Sequence, residues 1–279
     1  MINASLTTTI QPTTSSTKQT TSMPKPPLRY SCNKTAPCGC GESNVIISPS
    51  RIVGGEDAVP HSWPMIVSIR MGEFEHTCGG TILSELFILT AAHCVVEKVI
   101  PTNLFRNVEV AVGLHNRSAS SATIRRVKRF HVHPNYNKET LVGENDIAIL
   151  ELAQPLEIGL KFRTTRTCLP HGNSSIQLSQ YPPNNTRLMV VGWGALKFME
   201  SKLPTILQQA QIFLIDNDYP TCKKIMTNGQ SQLCAALYEG GKSECDALMI
   251  VIDTYIDTHF SHVFQVHARV CYAGQCTYD

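Results

Sequence analysis

The chain has 279 residues, 42% of them hydrophobic and 16% charged, with a formal net charge of +2. That length supports one two-lobed domain or two small ones with a sizeable core. So small a charge gives no case for nucleic acid or a membrane surface as partner, and no apolar run approaches the roughly 20 residues of a membrane span.

Residues 1–27 are rich in Thr, Ser and Pro and nearly lack large apolar side chains. Such a stretch buries too little surface to offset its ordering entropy. It reads as a disordered stalk, either O-glycosylated or an unmodified linker. Residues 1–22 hold no apolar signal-peptide core, so the natural N-terminus is expected upstream. Residues 28–51 carry Cys32, Cys38 and Cys40. A Cys-x-Cys pair can bind metal, but no histidine lies nearby, and a disulfide tether is the expectation. The whole chain has eleven cysteines and five Asn-x-Ser/Thr sequons, at Asn3, Asn33, Asn116, Asn173 and Asn184. Together they indicate an oxidising, extracellular setting. The odd cysteine count leaves at least one thiol without a partner in the chain.

From residue 51 short apolar and β-branched runs recur between Gly, Pro and Asn turns: Pro64–Ile69, Thr81–Leu89, Val108–Val112, Ile147–Leu152, Leu188–Gly192 and Ala210–Ile215. Little helical periodicity shows beyond a short turn around Ala91–Val95. The pattern predicts an all-β sandwich or barrel without internal repeats.

Several motifs lie along these runs. Arg51-Ile52-Val53-Gly54-Gly55 reads as an exposed, cleavable bond. Thr90-Ala91-Ala92-His93-Cys94 follows Cys78-Gly79-Gly80, and a cysteine bridging back to that strand would hold His93 rigidly, as a general base requires. Asn145-Asp146-Ile147-Ala148-Ile149-Leu150 sets one acid directly before a buried strand, where it can orient an imidazole. Gly192-Trp193-Gly194 follows an apolar strand in the second half.

In this order the motifs resemble the chymotrypsin/trypsin family of serine proteases, from Arg51 to Cys245. His133-Pro134-Asn135-Tyr136, Cys168-Leu169-Pro170, Leu203-Pro204, Leu207-Gln208, Cys234-Ala235 and Glu239-Gly240-Gly241-Lys242 add to the match. The resemblance implies two six-stranded antiparallel β-barrels, with His93 as general base and Asp146 as its orienting partner. It makes Arg51–Ile52 the zymogen cleavage site, cut by an activating protease, after which the new amino group of Ile52 would insert beside an aspartate. It implies disulfides Cys78–Cys94 and Cys222–Cys234, and ties Cys168 to Cys32, Cys38 or Cys40. Protein or peptide substrates, a monomer, and no cofactor or metal are implied with it.

The pattern stops at Cys245. The family continues with Gln-Gly-Asp-Ser-Gly-Gly-Pro or something near it, whereas this chain continues Asp246-Ala247-Leu248-Met249-Ile250. By the resemblance, the nucleophilic serine, an oxyanion-hole glycine and the aspartate that receives the new N-terminus are missing. Ser261 is the only serine after Cys245, and it lacks the flanking glycines of a strained nucleophile turn. Ser243 matches the floor of the primary specificity pocket. Being uncharged, it implies a preference not restricted to Lys or Arg, an inference blurred by Glu244 beside it. The second barrel is therefore expected to be incomplete, with open strand edges.

Residues 246–279 form a non-family tail. In it His262, Phe264, Val266, Ala268, Val270 and Tyr272 alternate with Val263, Gln265, His267, Arg269 and Cys271, a strand-like pattern that a random reading frame could also produce. The tail could plug the open edge, with Cys271 or Cys276 pairing with Cys245. The abrupt change points to a splice variant, an intron read-through or a frameshift.

The sequence thus predicts a secreted trypsin-like serine endopeptidase homologue, inactive in this form. The alternatives are a pseudoprotease binding module and a truncated or frameshifted product without function. Its organisation reads as a stalk (1–27), a Cys-containing propeptide segment (28–51), an incomplete protease domain (52–245) and the tail. The basic run Arg125-Arg126-x-Lys128-Arg129 reads as a solvated strand face rather than an exosite. Leu114–Ala122 matches the calcium loop of some relatives but has no acidic residue, so no calcium site is expected there.

Overall fold

The structure, a computed structural model, describes residues 26–48, 55–72, 74–96, 107–137, 144–169, 184–196, 202–226, 232–236, 249–252, 269–272 and 275–277. Strands β1 (Leu28–Tyr30) and β2 (Val45–Ile47) pair antiparallel as a small separate sheet. The two-residue β3 (Glu56–Asp57) follows.

Six strands then build a closed barrel. They are β4 (Ile66–Met71), β5 (Phe74–Ile82), β6 (Phe87–Thr90), β7 (Val108–Val112), β8 (Thr123–Val132) and β9 (Ala148–Leu152). Around the barrel the order is β4-β5-β6-β9-β8-β7, every pair antiparallel. Alternation explains the inward faces: on β9 Ala148, Leu150 and Leu152 are buried while Ile149 and Glu151 are not. Val67, Ile69, Ile82, Ile88, Val110 and Leu150 fill the interior. Gly80 faces a position with no room, since a Cβ there would lie 2.8 Å from Val67 Cγ2 and 2.9 Å from Ile88 Cγ2.

The apolar run Thr81–Leu89 is not one strand. Leu83 N–H and Ser84 N–H both donate to Phe87 O, closing a turn that separates β5 from β6. The polar pair Ser84-Glu85 marks that turn, and the apolar residues on either side masked it.

The second half is a seven-stranded sheet of β10 (Arg187–Gly192), β11 (Gln208–Ile215), β12 (Leu233–Ala236), β13 (Met249–Ile252), β14 (Arg269–Tyr272) and β15 (Gln275–Thr277), with β3 added to the start of β11. Among the described residues this sheet does not close. The fold is thus all-β with one closed antiparallel barrel. Tail residues 269–272 do form a strand, while 262–268 lie outside the described residues. Cys271 and Cys276 are register partners across β14 and β15; Cys245 lies outside the description.

A second apolar cluster joins the parts. Val45 and Ile47 from the cysteine-containing segment pack with Trp63 and Met65 before β4 and with Met189, Trp193 and Leu207 from the second half. Gly41 permits this docking, because a Cβ there would sit 2.4 Å from His61 O. Two short α-helices, α1 (His93–Val96) and α2 (Pro220–Ile225), the latter with Pro at its first turn, where no N–H is needed, and a 3-10 turn at Leu160–Phe162 complete the description.

Candidate active site

The barrel register explains how two residues 53 positions apart meet. β6 and β9 are antiparallel neighbours with Thr90 opposite Ala148. The chain just past Thr90 therefore lies beside the chain just before Ala148. Past Thr90, the small buried residues Ala91 and Ala92 let the backbone turn tightly against the core into α1. Cys94, inside that turn, is bridged to Cys78 on β5. Before Ala148, Asn145 takes a left-handed conformation (φ 54°), which asparagine tolerates better than most residues. Its Nδ2 donates to Asn135 O at 3.0 Å, so the His133–Tyr136 loop holds the turn that presents Asp146.

His93 and Asp146 are each 7% exposed. Asp146 Oδ2 lies 2.7 Å from His93 Nδ1, and Asp146 Oδ1 accepts the His93 backbone N–H at 2.8 Å. One carboxylate thus fixes both the ring and the backbone that carries it. It selects the tautomer with the proton on Nδ1, which leaves Nε2 as the ring's acceptor. His93 Nε2 also lies 3.5 Å from Cys94 Sγ. Cys78, His93 and Cys94 place three ligand-type atoms within 4.8 Å of one another. Both sulfurs are consumed in the Cys78–Cys94 disulfide, so this cluster offers one nitrogen and makes no metal centre.

The other predicted positions divide. Cys168 is bridged to Cys38, and Cys32 to Cys40, so the open choice of partner for Cys168 falls on Cys38. Cys222 is bridged to Cys234. Asn33, Asn116 and Asn184 are described. Asn33 Oδ1 accepts from Thr35 N and Oγ1, Asn116 Oδ1 accepts from Ser118 N, and Asn184 Nδ2 donates to Asp216. Arg51, Ile52, Ser243, Asn3, Asn173 and Ser261 lie outside the described residues.

One polar junction went unrecognised in the sequence. Gln209 on β11 is 1% exposed. Its Oε1 accepts from Trp63 Nε1 at 2.9 Å, while its Nε2 donates to Ile46 O at 2.7 Å and to Glu56 Oε1 at 3.1 Å. Glu56 in turn accepts the Ser48 N–H at 3.0 Å. The junction therefore ties down the chain on both sides of residues 49–54, which contain the Arg51–Ile52 bond. Leu207-Gln208 sat next to it in sequence, but nothing local marks Gln209 as buried.

Beside that junction two histidines meet edge to face, His61 and His115, with ring centroids 6.3 Å apart. Burial lowers the pKa of both below the ordinary imidazole range. Arg163 lowers that of His61 further while Glu42 opposes it, and Asp57 opposes the shift of His115. The Leu114–Ala122 stretch is held to the second half: Arg117 Nε donates to Pro204 O, and Leu207 N–H donates to His115 O.

A buried His–Asp pair at the mouth of a closed six-stranded antiparallel barrel, fed by the disulfide-anchored turn, is the arrangement of the trypsin class. The trypsin family model matches residues 52–247, and the chain belongs to that family. It is similar to human Serine protease 56, at 32% identity over 217 residues. That match covers 75% of this chain and 33% of the relative, so the chain spans about a third of that protein's length.

Proposed function

We propose that this chain is a secreted trypsin-like serine endopeptidase homologue that does not turn over peptide bonds in this form. His93 would act as general base and Asp146 as its orienting partner. Arg51–Ile52 would be the site of an activating protease, Ser243 the pocket floor, and Asn3, Asn33, Asn116, Asn173 and Asn184 glycan acceptors. Residues 28–51 would be the propeptide of a monomeric protease domain spanning 52–245, with 1–27 a stalk and 246–279 a tail foreign to the family. Four disulfides support the extracellular reading.

One observation carries the inactive reading: the base and its carboxylate are assembled to 2.7 Å, yet Cys245 is followed by Asp246-Ala247-Leu248 rather than a glycine-flanked serine. Loss of one triad member leaves roughly 10³–10⁴-fold catalysis over water, which rests on the oxyanion hole and substrate binding. Losing an oxyanion donor removes about 10²–10³ more. Here both losses coincide. A fluorophosphonate probe tests this. The chain, cleaved at Arg51–Ile52, is expected to stay unlabelled, and stoichiometric covalent labelling would overturn the reading.

The closed, well-packed first barrel favours one second reading, a pseudoprotease that engages a partner through its surface. Soluble, monodisperse expression would support it, and aggregation of the purified chain would count against it.

A further inference from the structure

The outer face of the first barrel carries a feature that the proposed function leaves unused. A regular strand sends successive side chains to opposite faces. On β8, Val127, Phe130 and Val132 all pack against the barrel core. Strict alternation cannot place Val127 and Phe130 on one side. A register shift between Val127 and Arg129, in the pairing of β8 with β9, resolves the conflict. Such a bulge re-aims side chains. Here it sets Lys128 and Arg129 consecutively on the outer surface, with side chains 56% and 63% exposed, beside Arg126 at 74%.

The facing strands do not neutralise this row. On β7, Glu109 lies 3.7 Å from Arg126. On β9, Glu151 is shared by Lys128 at 2.6 Å, His131 at 3.4 Å and Arg129 at 3.9 Å. These neighbours hold the Glu151 carboxyl below its usual range, Lys128 foremost, and leave its side chain 17% exposed. On β4, Arg70 sits opposite Glu109 and directs its guanidinium to Arg117 O. Arg125 donates to Pro155 O from the same strand. Arg125, Arg126, Lys128 and Arg129 thus meet two carboxylates.

We propose that this bulged strand face, through Arg126, Lys128 and Arg129, binds a linear sulfated polysaccharide of the glycosaminoglycan class. The outward side chains from residue 126 to 131 are Arg126, Lys128, Arg129 and His131, and the apolar neighbours of this row, Ile124 on the same strand and Phe87 opposite Glu151, are only 41% and 39% exposed. What the face offers is a line of cations on an extended strand, about 10 Å from Arg126 to Arg129 at roughly 3.4 Å per residue. Arginine forks match tetrahedral oxyanions well, and a flexible polyanion needs no pocket. The physiological encounter rests on the extracellular reading above. The binding itself does not, so failure of one is separable from failure of the other.

Immobilised heparin is the probe, with the purified full-length chain at pH 7.5. The chain is expected to bind at 50 mM salt. With three contacts released as counterions, affinity should fall roughly 20- to 40-fold between 50 and 200 mM salt. The Arg126→Gln/Lys128→Gln/Arg129→Gln variant should lose binding at least tenfold. Lys161→Gln/Lys202→Gln/Lys223→Gln, which removes the same charge from other exposed positions, should keep it. Arg126→Lys/Lys128→Arg/Arg129→Lys, which keeps the charge, should fold and bind within about threefold of the parent, and Glu151→Gln should bind more tightly. Equal loss in the two glutamine variants would overturn the proposal, as would no binding by the parent. Tighter retention on a polyglutamate column than on heparin would assign the face to an acidic protein partner and overturn it too.

Discussion

Gln209 shows how much can rest on one side chain. It donates two hydrogen bonds and accepts one at a position 1% exposed, and its three partners come from different parts of the chain. Gln209→Ala would leave Trp63 Nε1 and Ile46 O without this partner and open a small void. Each unsatisfied buried group costs about 1–3 kcal/mol, so the substitution is expected to destabilise the chain by about 2–4 kcal/mol. The readout is a lower midpoint in urea with an unchanged slope. A loss under 1 kcal/mol would show that water reaches the junction. Gln209→Glu should be worse, because it sets a second carboxylate against Glu56. His93 and Asp146 were legible in the sequence because their neighbours, Ala91-Ala92 and Cys94 on one side and Ile147-Ala148-Ile149 on the other, carry the family pattern locally. Asn145 and Gln209 were not, since their importance comes from Asn135, Trp63 and Ile46, residues brought to them only by folding.

The cysteine-containing segment is tied to the barrel region in two ways, and both can be tested. The Cys38–Cys168 bridge spans 130 residues. Chain-entropy arguments give a loop of that size up to about 5 kcal/mol, usually less in practice. Cys38→Ala/Cys168→Ala is therefore expected to lose about 2–5 kcal/mol, seen as a lower thermal midpoint. Val45 and Ile47 would still pack beside Trp63 and keep the segment bound. That packing is the second tie, and close by, outside the segment, a histidine pair makes stability depend on pH. His61 and His115 have lowered pKa values, burial being the larger cause. Protonation thus favours the unfolded chain, whose imidazoles titrate near the ordinary value of 6.5. Their contribution is fully present above that pH and is lost as pH falls below it. The urea midpoint should be flat from pH 8 to 7 and fall between pH 6.5 and 5, and His61→Asn/His115→Gln should flatten that fall. Glu151 has a lowered pKa, so its contribution is lost only at lower pH, as the solution passes below the ordinary carboxylate range. The elements that escaped the sequence have physical reasons. β1, β2 and β3 are two or three residues long, too short for a period to show. The basic run of β8 read as a solvated strand face, but its charges and the bulge that breaks its alternation hid the extent of the strand, Thr123–Val132.

At the scale of the whole molecule, the two halves differ in closure. In the first, every strand from β4 to β9 has a neighbour on both sides, and its core residues include several with no exposed surface. In the second, the path from β10 to β15 has two ends among the described residues. A sheet with open ends lacks the cooperativity of a closed one, and its terminal strands can open without unfolding the centre. The sheet itself runs on across the point where the family pattern ends, because β12 before Cys245 pairs with β13 after it, so residues of the tail supply the strands at one end of this sheet. Hydrogen exchange measures the consequence directly. Amides of β4, β7 and β9 are expected to exchange only through global opening. Those of β13 to β15 should exchange at least about a hundredfold faster, a gap of roughly 2.7 kcal/mol in opening free energy. Adding the Cys78→Ala/Cys94→Ala change should accelerate exchange in β5 and α1 first, because the bridge anchors that turn. Equal protection across both halves would mean that the tail completes a second closed barrel, and the chain would then have to be treated as a fully folded pseudoprotease rather than a protease interrupted partway through its second half.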